Sequence, residues 1–111
     1  MARISTHVLD IAKGAPAAGI RVELYFSDEC VQCARTNPDG RTDAPMLTAD
    51  PIAAGIYELV FHVEDYLRAE HPGQTPFFDR IAIRFAVSGP ERSYHVPLLL
   101  APHGYSTYRG S

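Results

Sequence analysis

Residues Ile81 to Val87 alternate strictly: Ile81, Ile83, Phe85 and Val87 fall on one side of an extended chain, and Ala82, Arg84 and Ala86 on the other. Successive side chains of a strand point to opposite faces, so a period of two prescribes a sheet with one face buried. The same period marks strands near Thr6 to Ile11, Arg21 to Phe26, Ile56 to His62, Tyr94 to Leu100 and Tyr105 to Tyr108. Turn chemistry separates them: Lys13-Gly14-Ala15-Pro16, Asn37-Pro38-Asp39-Gly40, Pro72-Gly73 and Ser88-Gly89-Pro90. One segment departs from the pattern. Val63-Glu64-Asp65-Tyr66-Leu67-Arg68-Ala69-Glu70 is rich in helix formers, gathers Val63, Tyr66 and Leu67 on one side, and is stopped by Pro72-Gly73. Short strands at regular spacing with a single helical excursion predict a mainly β protein, an antiparallel β-sandwich of about seven to eight strands.

The strand from Tyr94 to Leu100 carries a second message. Tyr94, Val96, Leu98 and Leu100 serve a core, yet the opposite face shows His95, Pro97 and Leu99. A strand with one wet face should be polar there. This one is not, which predicts that its outer face is covered, and another subunit is the preferred cover. Pro97 removes a ladder donor and fits an edge or a special position.

With 111 residues the chain has room for one core, so residues 1–111 read as a single domain. A domain this small buries a modest share of its surface, and assembly is a natural source of added stability. The net charge of -3 and the absence of a Lys/Arg cluster argue against nucleic acid as a partner. No apolar window approaches the ~20 residues that cross a bilayer, and the N-terminus shows no apolar signal core. The expectation is a cytoplasmic protein with no membrane partner. Cys30 and Cys33 form a single Cys-Val-Gln-Cys. Without a second pair or a βαβ context they predict neither structural zinc nor a thioredoxin-like motif, so reduced thiols are expected and no metal site is assigned.

Of the five histidines, His62 and His71 flank the helix and His103 lies in a turn, positions that suit solvated or turn residues. His7 and His95 sit inside strands among apolar neighbours. His7 shares its face with Leu9, whereas Thr6 and Val8 point the other way. Were the His7 and His95 faces one surface, two imidazoles would converge in a semi-apolar setting suited to general-base catalysis. The alternative is two hydrogen-bonded interior histidines, and the residues alone admit both. Arg41, directly after Asp39-Gly40, is either a solvated strand-start arginine or a five-donor fork for carbonyl or anionic oxygens. Arg109 carries the same ambiguity and can equally pair with the terminal carboxylate. Tyr108 shares a face with Ser106 and Gly110, lining either a polar pocket or the end of a sheet.

Four stretches in order resemble the motifs of one family, the 5-hydroxyisourate hydrolase branch of the transthyretin-like proteins. They are Ser5-Thr6-His7-Val8-Leu9-Asp10 followed by Gly14-Ala15-Pro16-Ala17, then Thr36-Asn37 with Asp39-Gly40-Arg41. Tyr94-His95-Val96-Pro97-Leu98-Leu99-Leu100 and the terminal Gly104-Tyr105-Ser106-Thr107-Tyr108-Arg109-Gly110-Ser111 complete the set. The resemblance implies a transthyretin-like sandwich whose edge strands pair into dimers and whose dimers stack into a homotetramer, with sites at the dimer–dimer interface. It implies hydrolysis of 5-hydroxyisourate by ring opening, without metal or organic cofactor. It places His7, Arg41, His95 and Tyr108 in the catalytic site, and His7, Arg41, Tyr108 and Ser111 against the substrate.

Carrier transthyretins share the fold and form the rival class. The resemblance separates them at four places: carriers lack the Tyr-Arg-Gly-Ser ending and have a lysine at the place of His7. They also have a threonine at the place of His95 and a small residue at the place of Tyr108. All four positions here follow the enzyme branch.

Overall fold

The computed structural model describes residues 1–89 and 93–110. Pro90 of the expected turn and the terminal Ser111 lie outside the described residues. Strand β4 (Arg21–Phe26) and β8 (Arg80–Val87) form where alternation predicts them, and β7 (Gly55–His62) lies between them. With β5 (Glu29–Arg35) they make one antiparallel sheet in the order β5-β4-β7-β8. Ser27 and Asp28, both at positive φ, form the two-residue turn of the β4–β5 hairpin.

The opposing layer is built from two chain segments that each carry an interruption. The first runs through β1 (Ala2–Ser5) and β2 (Val8–Asp10), the second through β9 (Ser93–His95) and β10 (Leu98–Ala101). These segments lie parallel: Ser5 stands opposite His95, and Val8 opposite Leu98. The sandwich is therefore mixed in this layer, whereas every other ladder is antiparallel. β6 (Leu47–Ala49) flanks β1, the two-residue β3 (Ala15–Pro16) flanks β2, and β11 (Gly104–Thr107) flanks β10. Counting each interrupted segment once and setting β3 aside, the layers reduce to the predicted number of strands.

Apolar side chains from both layers meet between them. Ile4, Val8, Leu98 and Leu100 face Val22, Leu24, Leu59 and Phe61, all essentially without solvent exposure. In β8 the alternation is as read, with Ile81, Ile83 and Val87 inside and Arg80, Ala82 and Arg84 outside. β5 escaped the sequence reading because it is an edge strand exposed along nearly its whole length. A register shift opposite Leu24/Tyr25 marks a bulge, a common way to blunt an edge.

The helix α1 (Glu64–Glu70) follows the predicted course. Glu64 and Asp65 complement its N-terminal dipole, and Glu64 pairs with Arg68 at 2.9 Å. Val63 and Leu67 are buried. Polar bonds complete the attachment. The Asp10 carboxylate, wholly buried, accepts from the Tyr66 hydroxyl at 2.8 Å, His71 Nε2 at 2.7 Å and the backbone N–H of Ala12 and Lys13. His71 and His62 are thus partners of carboxylates and not simply solvated, since His62 Nε2 lies 2.7 Å from Glu23. No helix among the described residues is long and apolar enough to cross a membrane.

Burial on its own would raise the Asp10 carboxyl, but the bonds from His71, Tyr66 and Lys13 outweigh it and hold the group below its ordinary value. A carboxyl depressed in the folded state stabilises fully above the unfolded value and loses that contribution as pH falls through the folded one. Asp10→Ala is expected to cost about 3–5 kcal/mol in urea unfolding at neutral pH. The difference from wild type should shrink below about pH 4, where the unfolded carboxyl takes up its proton.

Candidate active site

The two strand histidines come to one surface. In the first strand Thr6 and Val8 are buried while Ser5, His7 and Leu9 are half-buried on the outer face. The parallel register then sets His95, the last residue of β9, directly beside Ser5. Its Nδ1 lies 2.9 Å from Ser5 Oγ, which leaves Nε2 as the nitrogen not engaged by Ser5. His7 Nε2 lies 2.8 Å from the carbonyl oxygen of Asp39. A carbonyl only accepts, so His7 holds its proton on Nε2 and its Nδ1 is the basic nitrogen of the neutral ring.

Arg41 is delivered by a loop that Asn37 organises. Gly40 N–H donates to the Asn37 carbonyl at 2.8 Å, closing a turn with Pro38 and Asp39 at its centre. The Asn37 side-chain oxygen accepts from Asp39 N–H at 2.9 Å and Arg41 N–H at 3.2 Å, and Asn37 N–H donates to the Arg41 carbonyl at 2.7 Å. The loop is fastened to β2 by Val8 N–H donating to the Gly40 carbonyl at 2.8 Å. That approach excludes any side chain at Gly40: its φ is +77°, and a Cβ would lie 2.3 Å from the Val8 carbonyl oxygen. Arg41 thereby forms a bridge with His7.

The C-terminal segment closes the other side. Gly110 N–H donates to the His95 carbonyl at 2.8 Å, and the glycine lies against the imidazole, where a Cβ would stand 2.6 Å from Cδ2. Burial first, then the positive charge of Arg41 and the proximity of His7, push His95 below the ordinary histidine value. Its ring is therefore neutral, and a free base, at physiological pH.

Of the sequence-derived candidates, the structure brings His7, Arg41 and His95 together. Tyr108 is placed elsewhere within the chain, in a groove of about 190 Å³ between the β8 and β11 edges that Ile83, Phe85 and Tyr94 also line. Arg109 stacks on the Tyr94 ring at 4.8 Å and donates to the Ser93 carbonyl at 3.2 Å. Cys30 and Cys33 are exposed free thiols. A cavity of about 410 Å³ lies around the β4–β5 turn and holds none of these histidines. Reading the sequence missed Ser5, Asn37, Gly40 and Gly110 as parts that hold the site. Each left a signal short of its role: Ser5 lies two residues before His7 on the same strand face, Asn37 and Gly40 belong to a turn, and Gly110 shares the Tyr108 face.

A two-layer β-sandwich that gathers two histidines, an arginine and Gly110 on one sheet face defines a class, the transthyretin-like proteins. The chain belongs to the HIUase/Transthyretin family, whose profile matches residues 4–110. It is 49% identical over 116 residues to 5-hydroxyisourate hydrolase of Halalkalibacterium halodurans, covering 98% of each chain. The structure of Klebsiella pneumoniae 5-hydroxyisourate hydrolase superposes with a TM-score of 0.86 at 39% identity, covering 100% of both chains. Transthyretin from Sparus aurata superposes with a TM-score of 0.84 at 25% identity, covering 99% of this chain and 97% of that one.

The contact between Gly110 and His95 generates a prediction. Gly110→Ala should displace the imidazole by a substantial fraction of an ångström and lower kcat/KM by about 10²-fold, as misplacement of a catalytic group by ~1 Å does. Thermal unfolding should be little changed, because Gly110 is not part of the buried core.

Proposed function

We propose that His7, Arg41 and His95 open the ring of 5-hydroxyisourate by adding water to a ring carbonyl. The chain hydrolyses 5-hydroxyisourate in urate degradation, a reading supported by full-length relatives that carry that name. The observation that carries the division of labour is His95, a neutral imidazole with Nδ1 occupied by Ser5 and a cation beside it. When Ser5 accepts a proton bond from Nδ1–H, Nε2 presents its lone pair and takes a proton from the attacking water. The alkoxide that forms on the carbonyl carbon is stabilised by the Arg41 guanidinium, which is already in place before charge develops. Collapse breaks the C–N bond, and the departing nitrogen takes the proton from His95. His7 holds the Arg41 loop through Asp39 and offers Nδ1 to the substrate. Tyr108, which within one chain lies in the β8–β11 groove, orients the ring in this reading only where assembly brings copies together, and Ser111 contacts the substrate.

The assembly that accompanies this reading is a homotetramer. β8 and β11 are both unpaired edges of their sheets and flank the same groove, so a second copy can extend both sheets at once. Tyr108 at 57% exposure and Tyr105 at 43% lie on that side and would gain cover. Sedimentation of the purified chain tests it: a tetramer is expected, and a stable monomer with full turnover would discard the assembly.

The reaction is tested by the ultraviolet decay of 5-hydroxyisourate, generated in place from urate and urate oxidase. Wild-type protein is expected to accelerate the decay. His95→Ala should lower kcat/KM by about 10²–10⁴-fold and Arg41→Ala by about 10²–10³-fold. A folded wild-type protein with no effect would remove the enzyme reading and bring forward the carrier alternative. The pH profile follows from the lowered His95 value: kcat/KM should be flat at neutrality and fall only as pH drops below 6.5 through that value. In Arg41→Gln the His95 titration, followed by NMR, should move upward, because a neighbouring positive charge has been removed.

A further inference from the structure

Arg41 does not stand alone as a cation on this face. Arg3 is on β1, two positions before Ser5 and four before His7, so all three side chains share the outer side of the strand. Its register neighbours are Thr48 on β6 and Ser93 on β9, neither of them acidic. Arg3 and Arg41 line one pocket of about 200 Å³, together with Ser5, Thr42 and Asp43. Ser5, on the wall of this pocket, is the residue bonded to His95. Asp43 supplies the pocket's single carboxylate, and one of its oxygens accepts from the Asn37 amide at 3.0 Å. Among the described residues neither guanidinium has an ion-pair or hydrogen-bond partner for its side chain. Two planar five-donor groups left without acceptors on the wall of one pocket make a receptor for an anion, and a carboxylate matches their fork geometry.

The reaction itself creates such an anion. Water oxygen bonds to the ring carbonyl carbon, the C–N bond breaks, the departing nitrogen gains one proton of that water through His95, and the new carboxyl releases the other to solvent as it becomes a carboxylate. We propose that Arg3 and Arg41 form a two-guanidinium clamp for the carboxylate produced by ring opening, which makes Arg3 a binding residue for the product side of the reaction. The clamp rests on the hydrolytic reading for the origin of its ligand. Arg41 attends the oxyanion as it forms, and Arg3 joins it once a second oxygen bears charge. In that order Arg41 serves the transition state, whereas the Arg3 contact is made after bond cleavage and acts on product binding and release.

The test uses two stable ureides on the full chain: allantoate, an acyclic ureido carboxylate, and allantoin, a neutral ring without a carboxylate. Calorimetric titration is expected to show allantoate binding to wild type and binding about tenfold more weakly to Arg3→Ala, a loss expected for one charge-assisted contact. Arg3→Lys should recover part of the affinity because the charge remains. Allantoin should bind wild type and Arg3→Ala alike. Arg3 is exposed, so thermal unfolding of both variants should match wild type. Equal allantoate affinity in wild type and Arg3→Ala, or no allantoate binding to wild type, overturns the clamp. Titration needs no turnover, so the two readings fail separately: Arg3-dependent allantoate binding without accelerated 5-hydroxyisourate decay supports the clamp and removes the hydrolase.

Discussion

The site depends on a parallel pairing that should be awkward, between the segment Ala2–Asp10 and the segment Ser93–Ala101. Pro97 brings no N–H to the ladder. The structure bridges the break with Val96 N–H donating to the Ser5 carbonyl and Leu98 N–H donating to the His7 carbonyl, both at 2.9 Å. The Thr6 hydroxyl donates to the Val96 carbonyl at 2.7 Å, satisfying an acceptor inside the core. Register therefore survives the proline. A slip of one residue would turn every side chain over, sending Ile4, Thr6 and Val8 outward and burying Ser5 and His7. The hydrophobic effect that selects this register thus also places His7 and His95 on the outer face. Their adjacency is a by-product of core packing.

The interruption at Pro97 has a counterpart at His7, which leaves the sheet ladder between β1 and β2 and pairs with Arg41. An uninterrupted strand would have no backbone positions to spare for the loop at Asn37. Instead Val8 N–H turns to Gly40, and the loop comes close enough to touch the sheet. Two glycines mark the resulting close approaches, Gly40 over the Val8 carbonyl and Gly110 over the His95 ring. Cation and base are thus set by backbone contacts, which move less than side chains do. Placing Arg41 near His95 has an electrostatic cost to the imidazolium, and this is useful. Together with burial, the larger cause, it lowers His95 below its ordinary value, and in the proposed reaction the same cation meets the oxyanion.

How much of this was legible follows from the range over which each signal acts. Strand parity is local, so β8, β4 and the outward turn of His7 and His95 could be read from Ile81–Val87, Arg21–Phe26 and the residues around Val8 and Val96. The helix was legible because Val63, Tyr66 and Leu67 share one side. β5 was not, since an exposed edge strand needs no alternation. Partners across the sheet were not legible either: nothing near residue 5 points to residue 95, and Asp10 lies 61 positions from His71. Family motifs named Tyr108, but within one chain its surroundings are the β8–β11 groove. The parallel pairing of the first and penultimate segments was equally hidden, because period two does not record strand direction.

The histidines show how one residue type is assigned different work by its neighbours. His62 and His71 each face a carboxylate that the fold has buried, Glu23 and Asp10. The bond from His62 comes first among the causes that lower Glu23, and Asp10 is lowered against the opposing effect of burial. Those pairs keep negative charge inside the protein, fastening α1 and the outer face of β4. His95 has the reverse surroundings: a hydroxyl at Nδ1, a glycine against its ring and a guanidinium nearby. Those surroundings disfavour a positive imidazole, so in the proposed reaction a proton gained by His95 is held weakly and passes readily to the departing nitrogen. His62 and His71 sit beside anions, and the proposed base His95 beside a cation. That contrast, more than position in a motif, is the physical reason for assigning the base to His95.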